Sequence, residues 1–137
     1  MSSLTIYFDG GCKPNPGKRY GSFEALLDDE LLLRCERLEF GHGTCNEAEF
    51  LSLIHALCDC LDELTVRGIQ PGHLSLLIVT DSTILRNRLL GNYRKEKTEP
   101  EQRMAKFARQ CQAMTDLFRS MDVTWEGRES NVARFGH

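Results

Sequence analysis

Apolar residues along this chain follow two different repeats, and the switches between them mark its elements. From Thr5 to Phe8, Ile6 and Phe8 alternate with Thr5 and Tyr7, the two-residue repeat of a pleated strand. The repeat breaks at Asp9 into Gly, Pro and Asn turn formers that run to Gly17. Tyr20 to Leu27 predicts a second strand and Leu31 to Phe40 a third, joined by the polar turn Asp28-Asp29-Glu30, so the first forty residues read as an antiparallel meander. After Gly41-His42-Gly43 the repeat changes to that of a helix, with Phe50, Leu53, Ile54, Leu57, Leu61 and Leu64 on one face and a stop near Arg67-Gly68.

The continuous run Leu74 to Thr80 is expected as a strand buried on both faces. It stops at Asp81-Ser82, and a helix carrying Ile84, Leu85, Leu89 and Leu90 begins at once. A charged connector, Tyr93 to Pro100, leads into a long amphipathic helix expected from Glu101 to Met121. Val123-Thr124-Trp125 predicts a last strand, followed by a short polar tail. The order βββαβααβ implies an α/β fold with a mixed five-stranded sheet, three antiparallel strands then two parallel, flanked by helices.

Composition adds little. One domain covering residues 1–137 is expected, with 27% charged residues and a net charge of −3, which argues against coating nucleic acid by bulk charge but allows a local basic patch. No apolar run is long enough to span a bilayer, and the N-terminus lacks signal-peptide character, so a cytoplasmic protein is expected. Six cysteines without a C-x-x-C pair are then expected to be reduced thiols, neither disulfides nor zinc ligands.

Three carboxylates change the picture. Asp9 is expected at the end of the first strand, Asp81 at the end of the fourth and Glu49 in the first turn of the helix after the meander. Right-handed crossover lets strands one and four lie side by side, bringing Asp9 and Asp81 together with Glu49 entering from the side. Three acids converging without matched cations repel one another unless something positive sits among them, and a pair of divalent metals fits that need. Glu49 has a competing role, because with Asn46 as N-cap it completes a capping box. With Thr44 as the cap, Glu47 takes that role and frees Glu49.

Asp9-Gly10-Gly11 with Asn15-Pro16-Gly17, then Asn46-Glu47-Ala48-Glu49-Phe50, then Thr80-Asp81-Ser82, resembles the type 1 ribonuclease H family in its compact form without the basic protrusion. The resemblance covers essentially the whole chain. It implies the RNase H-like fold and a metal-dependent endonuclease that hydrolyses the RNA strand of an RNA–DNA hybrid with two ions of Mg²⁺ or Mn²⁺. In that reading Asp9 bridges the two ions, and Glu49 and Asp81 each hold one. Gly10, Gly11, Cys12, Asn15, Asn46, Arg86 and Arg128 would contact the substrate, with Arg86, Arg88, Arg94, Lys95 and Lys97 forming a basic cluster for the DNA strand. A monomer is expected.

The tail departs from the family pattern. The resemblance implies a fourth carboxylate a few residues after Arg128-Glu129-Ser130-Asn131, where this chain has Phe135 or, with a one-residue gap, Arg134, neither of them a ligand. Three assignments stay open: Asn131 coordinates through its amide oxygen, His137 reaches the site, or no fourth ligand exists. Asn131 is preferred, as both catalytic and metal-ligating residue. The altered tail also keeps open a hybrid-binding module without catalysis, or another nuclease or resolvase of the same fold.

Overall fold

The computed structural model describes residues 2–91 and 96–136. Three strands, β1 (Ser2–Lys13), β2 (Gly17–Leu27) and β3 (Glu30–Gly43), form the meander. The helix α1 (Cys45–Val66) follows, then β4 (Leu74–Thr80), α2 (Thr83–Leu89), α3 (Glu99–Thr115), β5 (Ser120–Trp125) and α4 (Arg128–Phe135). The sheet order is β3-β2-β1-β4-β5, antiparallel from β3 to β1 and parallel from β1 to β5. The mixed five-stranded sheet is the one the hydrophobic pattern predicts.

Leu4, Ile6 and Phe8 of β1 and Leu74, Leu76 and Ile78 of β4 are buried against Phe50, Leu53, Leu57 and Leu64 of α1. On the opposite side of β4, Ser75 and Leu77 are only half-covered, so that strand is not sealed on both faces. Leu85 and Leu89 of α2 and Met104, Ala108 and Cys111 of α3 complete the core.

The strands of the meander run longer than expected, and α3 starts at Glu99 instead of Glu101; the larger differences have physical reasons. β1 does not end at Asp9 but pairs with β2 as far as Lys13, because Gly10 and Gly11 accept the extended conformation of a ladder. α3 ends at Thr115, not Met121. Residues 116–118 keep turn hydrogen bonds, Leu117 N–H to Met114 and Phe118 N–H to Thr115, which prolong the helical spacing of apolar residues beyond the helix itself. β5 starts at Ser120, three residues before the apolar pattern signals it, because only Val123 in this strand is buried. The polar tail is a helix, α4, that buries only Asn131 and Phe135, too sparse a face to be read from hydrophobicity.

Candidate active site

β1 pairs with β4 only as far as Tyr7–Val79, while β4 itself stops at Thr80. Asp9 therefore lies just beyond the last parallel pair, and Asp81 just beyond the end of β4. The seam between the two strands opens there into a cleft of about 370 Å³. Glu49, the fifth residue of α1, enters from the helix side. One carboxylate oxygen from each of Asp9, Glu49 and Asp81 lies within 4.8 Å of the others.

Gly10 makes this approach possible. A Cβ at this position would collide with the carbonyl of Ala48 and come within 2.7 Å of the Glu49 nitrogen, so only glycine lets β1 pass so close to the helix backbone. The competing role for Glu49 is resolved by Thr44. Its hydroxyl accepts the Glu47 N–H at 3.2 Å, and the Glu47 carboxylate accepts the Thr44 N–H at 2.8 Å. Burial pushes the Glu47 carboxyl up, but the Thr44 N–H and the Arg103 guanidinium outweigh it and hold the group below the usual range. Arg103 of α3 donates to it at 2.5 Å. Glu49 is thereby released from capping.

The electrostatics of the three acids are unfavourable as they stand. Asp9 is 7% exposed, and burial followed by the charge of Asp81 pushes its pKa from 3.8 up to about 7, against smaller lowering by Glu49, Arg128 and the Gly10 backbone. Glu49 is raised well above its usual range, first by burial and then by Asp9 and Asp81. Buried acids in contact keep a proton between them, and burial together with the charges of Asp9 and Asp81 favours the protonated form of Glu49. Its Oε2 is buried with no hydrogen-bond partner among the described residues. A buried, unpartnered carboxylate oxygen beside two further acids fits a hard divalent cation, which oxygen ligands suit.

Of the expected contact residues, Gly10, Gly11, Cys12, Asn46 and Arg128 line the cleft, and Asn15, Arg86 and Asn131 do not. Asn15 instead accepts the Cys45 N–H at 3.4 Å and holds the β1–β2 turn against α1. Arg86 is exposed on α2, and Asn131 is buried on α4. The expected basic cluster is divided: Arg88 is buried, Lys97 is exposed, and Arg94 and Lys95 lie outside the described residues, as do Tyr93 and His137. α2 turns Arg88 inward because it shares a face with Leu85 and Leu89, the helical spacing that fills the core.

Lys13, Tyr20, Cys45 and Ser82 also line the cleft. Tyr20 is cross-strand partner to Gly11, a pairing that the hairpin register fixes but hydrophobicity does not reveal. Ser82 accepts the Leu85 N–H at 3.1 Å and so starts α2 immediately behind Asp81. The expectation of six reduced thiols is corrected: Cys12 and Cys45 form a disulfide, with Cα atoms 5.1 Å apart. The close passage of β1 over the start of α1 brings the two together across 33 residues of sequence, which spacing alone hides.

The sequence matches the RNase H family profile over residues 1–127. The chain belongs to the RNase H family. No curated protein sequence matches it. Among solved structures, RNase H1 from the halophilic archaeon Halobacterium salinarum is 22% identical, with a TM-score of 0.77 over 94% of this chain and 89% of that one. The N-terminal RNase H domain of a Mycobacterium tuberculosis protein is 23% identical, with a TM-score of 0.73 over 95% and 91%. LC11-RNase H1 in complex with an RNA/DNA hybrid is 23% identical, with a TM-score of 0.69 over 98% and 91%. These likenesses establish the shared fold. The matched span ends one residue before α4, on which Phe135 is buried.

Proposed function

We propose that this chain is an endonuclease that hydrolyses the RNA strand of RNA–DNA hybrids with Mg²⁺ or Mn²⁺. The observation that carries the reading is the convergence of Asp9, Glu49 and Asp81 around the unpartnered Glu49 Oε2. Family membership and the hybrid bound by LC11-RNase H1 support the same substrate.

Asp9, Glu49 and Asp81 would hold the metal. Divalent ions bound there supply charge that activates water and stabilises a leaving oxygen. The chain's own residues do the positioning. The β1–β2 ladder around Asp9 and the end of β4 fix two carboxylates, the Gly10 crossing fixes the third, and Arg128 brings positive charge to the cleft for a phosphate. Gly11, Cys12 and Asn46 present small groups where a minor groove would lie, suited to reading 2′-hydroxyls. Asn131, buried on α4 outside the cleft lining, stays the candidate for a supporting ligand through its amide oxygen.

A labelled hybrid, duplex RNA and duplex DNA are the substrates that test this. The expected result is cleavage of the RNA strand of the hybrid alone, dependent on Mg²⁺ or Mn²⁺ and lost in Asp9→Asn. Cleavage of duplex DNA instead would place the chain with other nucleases of this fold. The second reading, a module that binds hybrids without cutting them, draws on Phe135: a buried aromatic residue stands where the sequence resemblance leads one to expect the fourth acid. Binding without cleavage under either metal would establish it.

A further inference from the structure

The cleft wall contains a redox-active group, a disulfide, whose sulfur chemistry hydrolysis does not use. The Cys12–Cys45 bridge joins β1, three residues beyond Asp9, to the first residue of α1, four residues before Glu49. It therefore ties together two of the three segments that supply the carboxylates. Both cysteines line the cleft, Cys12 buried and Cys45 half-buried, so a reagent entering with solvent meets Cys45 first. Asn15 Oδ1 lies 3.5 Å from the Cys12 sulfur and accepts the Cys45 N–H, which draws the β1–β2 turn into the same linkage.

The other four cysteines are free thiols. None of them lines the cleft. Burial pushes Cys60 and Cys111 up to about 12, which removes them from thiolate chemistry at ordinary pH. Sulfur chemistry at the cleft belongs to this one pair.

We propose that Cys12 and Cys45 form a thiol–disulfide exchange site, that its co-reactant is a dithiol, and that the oxidised state is the form that grips a hybrid. The effect on grip rests on the hybrid-cleaving reading; the exchange chemistry does not. A thiolate of the dithiol attacks the Cys45 sulfur, the protein S–S bond breaks, and Cys12 leaves as a thiolate and takes up a proton. The second thiolate of the dithiol attacks its own sulfur in the mixed disulfide and expels Cys45, which is protonated in turn. Two electrons pass to the protein, the dithiol becomes a disulfide, and the two protons it gives up balance the two taken by the cysteines.

The direction follows from preorganisation. With the bridge closed, the end of β1 and the start of α1 are held at the spacing that aims Asp9 and Glu49 into one cleft, and Gly11, Cys12 and Asn46 form a fixed wall. With it open, the turn is held to the helix by the Asn15 contact and the Gly10 crossing. Binding must then order a looser wall, which weakens affinity.

The test uses the whole chain, oxidised or treated with dithiothreitol. Thiol counting by alkylation under denaturing conditions is expected to give four before reduction and six after. Cys45→Ser, with no partner left for Cys12, should give one count under both conditions. Affinity for a labelled hybrid, measured with chelator present so that cleavage is off, should fall at least ~5-fold on reduction, the lower end of ordinary coupling between sites. Cys45→Ser should bind at the reduced level in both conditions. An unchanged thiol count, or equal affinity of the oxidised and reduced wild-type chain, overturns the proposal without reference to any variant. If count and affinity both switch while neither state cuts hybrid with Mg²⁺ or Mn²⁺, the exchange site stands and the nuclease reading falls.

Discussion

The indole N–H of Trp125, the last residue of β5, donates to the backbone carbonyl of Asp81 at 3.1 Å. Asp81 follows the end of β4, where no ladder bond to β1 holds it, so this contact from the neighbouring strand fixes the peptide that carries the carboxylate. Trp125→Phe keeps the ring and removes the donor. Stability should fall by about 0.5–1.5 kcal/mol, the usual net worth of one hydrogen bond. Cleavage should fall several-fold at limiting Mg²⁺ and recover as Mg²⁺ is raised. A rate that drops equally at all metal concentrations would show that the indole does not act through Asp81.

Asp9→Asn should abolish cleavage and stabilise the metal-free chain. Between about pH 4 and 7 the folded state keeps a proton on Asp9 that the unfolded chain, with an ordinary pKa of 3.8, has released. Asp9's contribution to the stability of the metal-free protein is therefore lost as pH rises through that window, on top of the loss of the same sign from Glu49. The substitution removes the Asp9 share of the slope, leaves that of Glu49, and should raise Tm at pH 8 by a few degrees, about what ~1 kcal/mol does for a domain of this size. Thermal melts from pH 4 to 8 in chelator check both points.

Gly10→Ala adds one methyl group where the chain has no room for it. The new Cβ meets the Ala48–Glu49 peptide, so β1 and α1 must part. A loss of ~1–3 kcal/mol is expected from overpacking. Cleavage should fall further than the loss of folded protein explains, because Glu49 moves with its backbone. Urea melts and activity corrected for the folded fraction separate the two effects.

The tail yields the sharpest contrast in metal dependence. If the Asn131 amide stands in for a carboxylate, Asn131→Asp should lower the Mg²⁺ needed for half-maximal activity. Asn131→Ala should raise it by about tenfold, as for other residues that support a metal site. Metal titrations of the two variants decide, and superimposable curves would remove Asn131 from the site.

The three acids were legible because each lies at or near a change of hydrophobic period. Even where β1 runs on past Asp9, the parallel pairing stops two residues before it, and that is the boundary the chemistry uses. The capping role of Glu47 was legible only as one of two options, since Thr44 and Asn46 both fit the local pattern; the ion pair from Arg103, 56 residues away, adds what sequence could not show. α4 went unread because two buried residues make no periodicity. Arg88 was placed on the surface because a lone Arg looks solvated until the helix face it shares with Leu85 and Leu89 is known. The Cys12–Cys45 bridge depends on a backbone crossing that has no local signature at either cysteine.

Asp9, Glu49 and Asp81 come from three segments that touch only when β4 has docked beside β1 and α1 has crossed over them. No partly folded chain lacking either contact possesses the cluster. Divalent ions that bind there bind the finished architecture alone, so their stabilisation appears in full at the global transition and not at any earlier fraying. Added Mn²⁺ would then slow amide exchange in the innermost strands, as if the ion were a clasp closed last.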